Sequence, residues 1–177
     1  MSGLQVIDIT DPTNPLLAGS YDTPGFALDV AVAGDLAFVA DYGSGLQVID
    51  ITDPTNPALV GTYDTPGIAY AVEVAGDLAF VADGDFGLQI IDITDPTSPV
   101  LAGTYDTPGS ARDVSVAGDL AFVADRASGL QVIDITDPAN PMLTGSYDTP
   151  GAAWSVAVAG DLAFVADDVS GLQVIDI

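Results

Sequence analysis

Apolar positions in this chain come in short runs that alternate with polar or small residues. Val30 and Val32 mark one alternating run and Leu36 to Ala40 the next, with only Gly34-Asp35 between them. Period-two alternation over a few residues predicts half-buried strands. Glycine leading a two-residue connection suits a type II′ hairpin, whose first position needs a positive φ. After a short loop ending at Gly45, the run Leu46, Val48, Ile49 and Ile51 predicts a third, largely buried strand. Asp53-Pro54-Thr55-Asn56-Pro57 reads as a turn, because proline presets φ and cannot donate to a ladder. A fourth strand is expected from about Leu59 to Tyr63, and Pro66-Gly67 is expected at the centre of a type II turn. No window carries sustained helical periodicity.

The whole pattern then repeats. GLQVIDI begins at Gly3, Gly45, Gly129 and Gly171, and GLQIIDI at Gly87, a constant spacing of 42 residues. YDTPG begins at Tyr21, Tyr63, Tyr105 and Tyr147, and AGDLAFVAD at Ala33, Ala75, Ala117 and Ala159, in the same register. Four antiparallel strands in a repeat of about 40–45 residues are the mark of a β-propeller blade. The expected fold is therefore all-β, with residues 1–177 forming one unit of four 42-residue blades. The repeats begin at about residues 3, 45, 87 and 129, and 171–177 duplicates one strand.

The segments GLQVIDITDPTNP, YDTPG and AGDLAFVAD also resemble the LVIVD-repeat family of bacterial and archaeal propellers, across all four repeats. The namesake strand stands here as Leu-Gln-Val-Ile-Asp, followed by the DP-x-x-P turn. The resemblance implies a propeller and an extracellular or cell-surface setting, although no signal peptide opens the chain. It assigns no activity.

Strands a to d, labelled outward from the axis with the Val30 strand as a, occur four, four, five and four times. The blades are thus cut out of phase, and either copy of strand c, Gly3–Ile9 or Gly171–Ile177, can fill the same place at closure. Sheets stack about 10 Å apart and strands lie about 4.8 Å apart, so a blade is about 14 Å deep. Four blades at that spacing give a mid-blade radius of about 6 Å, too little for the inner strands, whereas eight give about 13 Å. Two chains forming an eight-bladed C2 ring are the expected closure, so the first expected partner is a second copy.

Differences among repeats cluster in two places. One comprises Phe26-Ala27-Leu28-Asp29, Ile68-Ala69-Tyr70-Ala71, Ser110-Ala111-Arg112-Asp113 and Ala152-Ala153-Trp154-Ser155. The other comprises Tyr42-Gly43-Ser44, Gly84-Asp85-Phe86, Arg126-Ala127-Ser128 and Asp168-Val169-Ser170. These are the d–a connections and the b–c loops, which an up-and-down blade places on one face. Leu28, Asp29, Tyr70, Arg112, Asp113 and Trp154 are the candidate ligand-binding rim, for a protein, peptide or glycan. Unconstrained drift of exposed loops after duplication is the competing explanation.

Composition narrows the chemistry. Two basic residues, Arg112 and Arg126, face 26 acidic ones, for a net charge of −24, and there is no histidine or cysteine. Thiol and histidine catalysis, zinc fingers and disulfides are thereby excluded. The charge argues against nucleic acid or an anionic membrane as a partner. No apolar run approaches the length of a membrane span, and the mean hydropathy of +0.42 is foreign to an acidic disordered tail. The aspartates recur in five classes, Asp8, Asp11, Asp22, Asp35 and Asp41 with their equivalents. Turn capping by their side chains accounts for most of them. Calcium is the one cofactor the carboxylates suggest, but no complete D-x-D-x-D-G loop occurs; Asp83-Gly84-Asp85 is a fragment. A pair of central acids for glycoside hydrolysis is not fixed by the sequence, and only Glu73 breaks the repeat. The expectation is a non-enzymatic scaffold or interaction module, without a required cofactor. The alternative is a calcium-dependent or carbohydrate-acting propeller.

Overall fold

The computed structural model describes residues 3–177. Its sheets follow the repeat. Strands β3 (Asp29–Ala33), β4 (Leu36–Ala40), β5 (Leu46–Asp50) and β6 (Ala58–Tyr63) form blade 1 as an antiparallel meander. Blade 2 holds β7 (Ala71–Ala75), β8 (Leu78–Ala82), β9 (Leu88–Asp92) and β10 (Val100–Tyr105). Blade 3 holds β11 (Asp113–Ala117), β12 (Leu120–Ala124), β13 (Leu130–Asp134) and β14 (Met142–Tyr147). A two-stranded sheet, β1 (Leu4–Asp8) and β2 (Leu16–Tyr21), precedes them. A three-stranded sheet, β15 (Ser155–Ala159), β16 (Leu162–Ala166) and β17 (Leu172–Asp176), follows.

Three blades are therefore complete, and the fourth is divided between the two ends: c and d at one, a to c at the other. No ladder joins the two partial sheets among the described residues. Both copies of strand c are paired, β1 with β2 and β17 with β16.

The a–b connection takes the expected form. Ala33 pairs with Leu36 across Gly34-Asp35, and Gly34 has φ 58 while Asp35 stays out of the left-handed region. The type II turn at Pro66-Gly67 is not formed, since Gly67 lacks a positive φ. Glycine is required there for a different reason: a Cβ would run into the carbonyl oxygen of Asp83. Every c–d ladder carries a register shift, as between Val48 and Ile49, and such bulges sharpen the local twist.

The core lies between sheets, in slabs. Phe38, Leu46 and Val48 of blade 1 pack on Val72, Val81 and Ile91 of blade 2. Phe80, Leu88 and Ile90 meet Val114, Val123 and Ile133 in the next slab, and Phe122 and Leu130 meet Val156 and Val165 in the one after. Each blade thus buries a face on both neighbours, so strand c has almost no exposed residue in blades 1 and 2. Among the described residues no helix is long and apolar enough to cross a membrane.

Candidate functional site

The two variable segments meet on one face through the backbone. The b–c loop of each complete blade forms a β-bridge with the connection into the next blade: Tyr42 with Ala69, Gly84 with Ala111, Arg126 with Ala153. The N–H groups of Leu28, Tyr70, Arg112 and Trp154 donate to Ala40, Ala82, Ala124 and Ala166 at 2.8–2.9 Å. Each a–b ladder is thereby extended by one rung, fixing those four side chains at equivalent places.

Most of these side chains stack into a line. Phe26 and Tyr42 meet edge to face with centroids 5.7 Å apart, and Tyr42 and Tyr70 do so at 6.3 Å. The Arg112 guanidinium lies 3.9 Å from the Tyr70 ring centroid and 5.1 Å from that of Trp154. Arg126 covers Trp154 as well, again at 5.1 Å. The result is a continuous row, Phe26–Tyr42–Tyr70–Arg112–Trp154–Arg126, running across the successive sheets. Edge-to-face rings and guanidinium-over-ring contacts each stabilise by about 0.5–1.5 kcal/mol. Both cations of the chain are in it. The buried Nε of Arg112 has no hydrogen-bond partner among the described residues.

Two members hold an unfavourable backbone. Tyr42 has φ 55 and Arg126 φ 50, at the loop position where blade 2 has Gly84 with φ 59. The left-handed region costs an L-residue about 1–2 kcal/mol, and such strain persists where the surroundings or function hold it. The fourth repeat has Asp168 there, with φ 46.

The remaining predicted rim residues part from the row. Leu28 is exposed and lines a recess of ≈ 210 Å³ with Gly3, Gln5 and Val30. Asp29 and Asp113 are engaged in the scaffold. Asp29 Oδ2 accepts from the Val72 N–H at 2.9 Å, and Asp113 Oδ2 accepts from the Ser155 hydroxyl at 2.6 Å and the Val156 N–H at 2.9 Å. Glu73 does the same work for the next pair of blades, accepting from the Val116 N–H at 3.0 Å. The innermost strands β7, β11 and β15 present edge N–H groups with no ladder partner, and a carboxylate from the preceding blade satisfies one on each. Burial pushes the Glu73 carboxyl above its usual range, and the nearby charges of Asp113 and Asp29 add to this. Among the described residues no three acidic side chains converge as a metal-binding group.

A second set of buried aspartates was not anticipated. Asp41, Asp83, Asp125 and Asp167 are fully buried, and each joins the b–c loop to the connection entering its own blade. Asp83 accepts from the Thr65 hydroxyl at 2.7 Å and the Gly67 N–H at 2.9 Å. Burial pushes the Asp83 and Asp125 carboxyls up. The sequence signal was present, a Thr and an Asp a constant distance apart in every repeat, but it resembled ordinary turn capping. Phe26, Tyr42 and Arg126 also complete the row without having been singled out as rim residues. They lie at the same variable positions, but the b–c loop had not been connected to the rim by any contact.

The LVIVD repeat profile matches residues 1–23, 24–65, 66–107, 108–149 and 150–177. No curated protein matches the chain in sequence. Among solved structures, that of the computationally designed Ika4 protein is similar with a TM-score of 0.71 at 10% identity, over 88% of this chain and 93% of that one. The computationally designed Ika8 protein gives a TM-score of 0.72 at 8% identity, over 90% of this chain and 49% of that one. At these identities the likeness concerns the fold alone.

Proposed function

The chain belongs to the LVIVD-repeat family, whose repeats form β-propellers, and we propose that it is a non-catalytic interaction scaffold that self-associates into a closed propeller. The observation that carries this reading is the division of one blade between the two ends. Strands c and d stand alone at one end and strands a to c at the other. Two chains supply both missing halves at two symmetric junctions, giving three whole blades from each and one composite blade per junction. That is the eight-bladed ring whose radius suits the strand spacing. Light scattering on the purified chain tests it: the expected mass is about twice 17.9 kDa, and a stable monomer at micromolar concentration counts against it.

The stacked row is the proposed docking face, for a protein, peptide or glycan partner. Support comes from the packing of Phe26, Tyr42, Tyr70, Arg112, Trp154 and Arg126 into one continuous row. Binding to peptide and glycan arrays by the wild type and by Trp154→Ala and Arg112→Ala distinguishes the readings. A signal that both variants lose supports the face; a signal that neither changes removes it.

A further inference from the structure

The strand-d glycines mark where one blade presses on the next. A Cβ at Gly19 would run into the carbonyl oxygen of Pro54, at Gly61 into that of Pro96, and at Gly103 into that of Pro138. In each case the outermost strand lies against the first proline of the following blade's c–d turn. Gly145 on β14 is the fourth of the series, and a Cβ there meets nothing within 4 Å. The turn it should face is absent from the three-stranded sheet that follows. One c–d turn in this chain, Asp11–Pro15, has no preceding strand d to lie against. A glycine without a turn and a turn without a glycine are therefore found at opposite ends of the same molecule.

The surroundings of Gly145 agree. It lines a cleft of ≈ 490 Å³ with Phe122, Leu130, Val132, Tyr147 and Ile175, between blade 3 and the open edge of β17. Gly45, Gly87 and Gly129 are closed in by the carbonyl oxygens of Tyr63, Tyr105 and Tyr147 on strand d, while Gly171 is open. The face beyond is bare too: Leu172 is 65% and Val174 55% exposed, where the equivalent Leu130 is 1%. At the other end Val30 is 47% exposed, where Val72, Val114 and Val156 are 4–6%. Val72 owes its burial to Phe38, Leu46 and Val48 of the preceding blade; β1 already places Leu4 and Val6 on blade 1, and Phe164 is the member of that set that a second copy would supply.

We infer that the cleft at Gly145 is the docking site for the β1–β2 hairpin of a second copy, with that copy's Asp11–Pro15 turn seated on Gly145 and its Pro12 carbonyl facing the glycine. The inference rests on the self-association proposed above and adds its register and its deciding contact. Complementarity of shape selects this occupant, since the hairpin already fits the equivalent place against Gly19, Gly61 and Gly103 through its homologous turns.

Gly145→Ala and Gly145→Val test it, because both add atoms where the single chain has room. Each variant is expected to keep the wild-type circular dichroism. The dimer dissociation constant should rise at least tenfold for Ala and further for Val, by sedimentation equilibrium. Gly43→Val is the control: its Cβ is also unopposed, but it lies on the variable face and should leave association unchanged. If the wild type dimerises and both Gly145 variants dimerise equally well, this docking register is wrong while self-association stands. A monomeric wild type overturns both.

Discussion

The Thr65 hydroxyl donates to Asp83 Oδ1 at 2.7 Å across eighteen residues of sequence. The same contact recurs between Thr23 and Asp41, Thr107 and Asp125, and Thr149 and Asp167. It ties the chain entering each blade to the loop that positions that blade's variable residues. Removing one partner of a buried charge-assisted hydrogen bond leaves a carboxylate oxygen unsatisfied, at a cost of about 1–3 kcal/mol.

Thr65→Val should therefore lower stability by about 1–3 kcal/mol in urea unfolding. Thr13→Val is the comparison. Its hydroxyl also meets an aspartate at 2.7 Å, but on the surface, where such changes stay within about 0.5 kcal/mol. Equal effects of the two would show that burial of the Thr65–Asp83 pair does not matter.

Acid titration should reveal two opposed groups of carboxyls. Glu73, Asp83 and Asp125 have raised values in the folded chain, chiefly from burial. A raised acid favours the folded state once protonated, so its contribution appears as pH falls through the folded value and is lost as pH rises again. Asp8, Asp11, Asp50, Asp53, Asp92, Asp95 and Asp134 are lowered by hydrogen bonds from the threonines two residues on. Their contribution is present above the ordinary value of 3.8 and is lost as pH falls below it. Stability should rise from pH 7 toward the ordinary carboxylate range and then fall. Working at about 1 M salt, where the screening length is about 3 Å, separates this from relief of the general repulsion at a net charge of −24. A monotonic loss from pH 7 downward would contradict the assignment of the buried group.

The blade strands and their order were legible because each repeat states its alternation and hairpin glycine afresh. The variable face was legible for a similar reason, since near-identical repeats make each departure visible. The buried Thr–Asp contacts were not, because both residues are common in turns and nothing local reveals a partner eighteen residues away. Pro66-Gly67 misled for a related reason. The dipeptide is a turn signal, but Gly67 is there to let the Asp83 carbonyl approach. Asp29 and Asp113 looked like rim ligands because of their position. Only the unpaired edge N–H groups of the neighbouring innermost strand explain where their carboxylates go.

Arg126 provides a direct test of whether the stacked row is held at a cost. Its left-handed φ of 50 is penalised by about 1–2 kcal/mol. Its exposed contact with Trp154 returns only about 0.5–1 kcal/mol. Asparagine tolerates this backbone, so Arg126→Asn should be as stable as the wild type or more stable by up to about 1 kcal/mol. A clear loss of stability would mean that Arg126 serves the fold, weakening the case for the row as a binding face.

Closure requires one copy of strand c to yield, and the two are not equally anchored. The apolar residues Leu4 and Val6 of β1 pack on Ala37, Val39 and Ile49 of blade 1, and β1 carries β2 with it. In β17 only Ile175 packs, against the slab that contains Phe122 and Leu130, while Leu172 and Val174 face outward. A strand that opens before exchange should be the one with less to lose, so in the proposed ring β17 is expected to give way and β1 of the second copy to pair with β16. The ladder gained equals the ladder lost, and the incoming strand brings strand d already attached. Deleting Gly171–Ile177 should then leave the dimer at least as tight as the full chain, because nothing has to be displaced. Deleting the segment through Ile9 should weaken it, since β2 loses its own partner. Sedimentation velocity on the two truncations reads the difference directly. A full-length dimer that becomes monomeric on loss of Gly171–Ile177 would show that β17 is the strand retained.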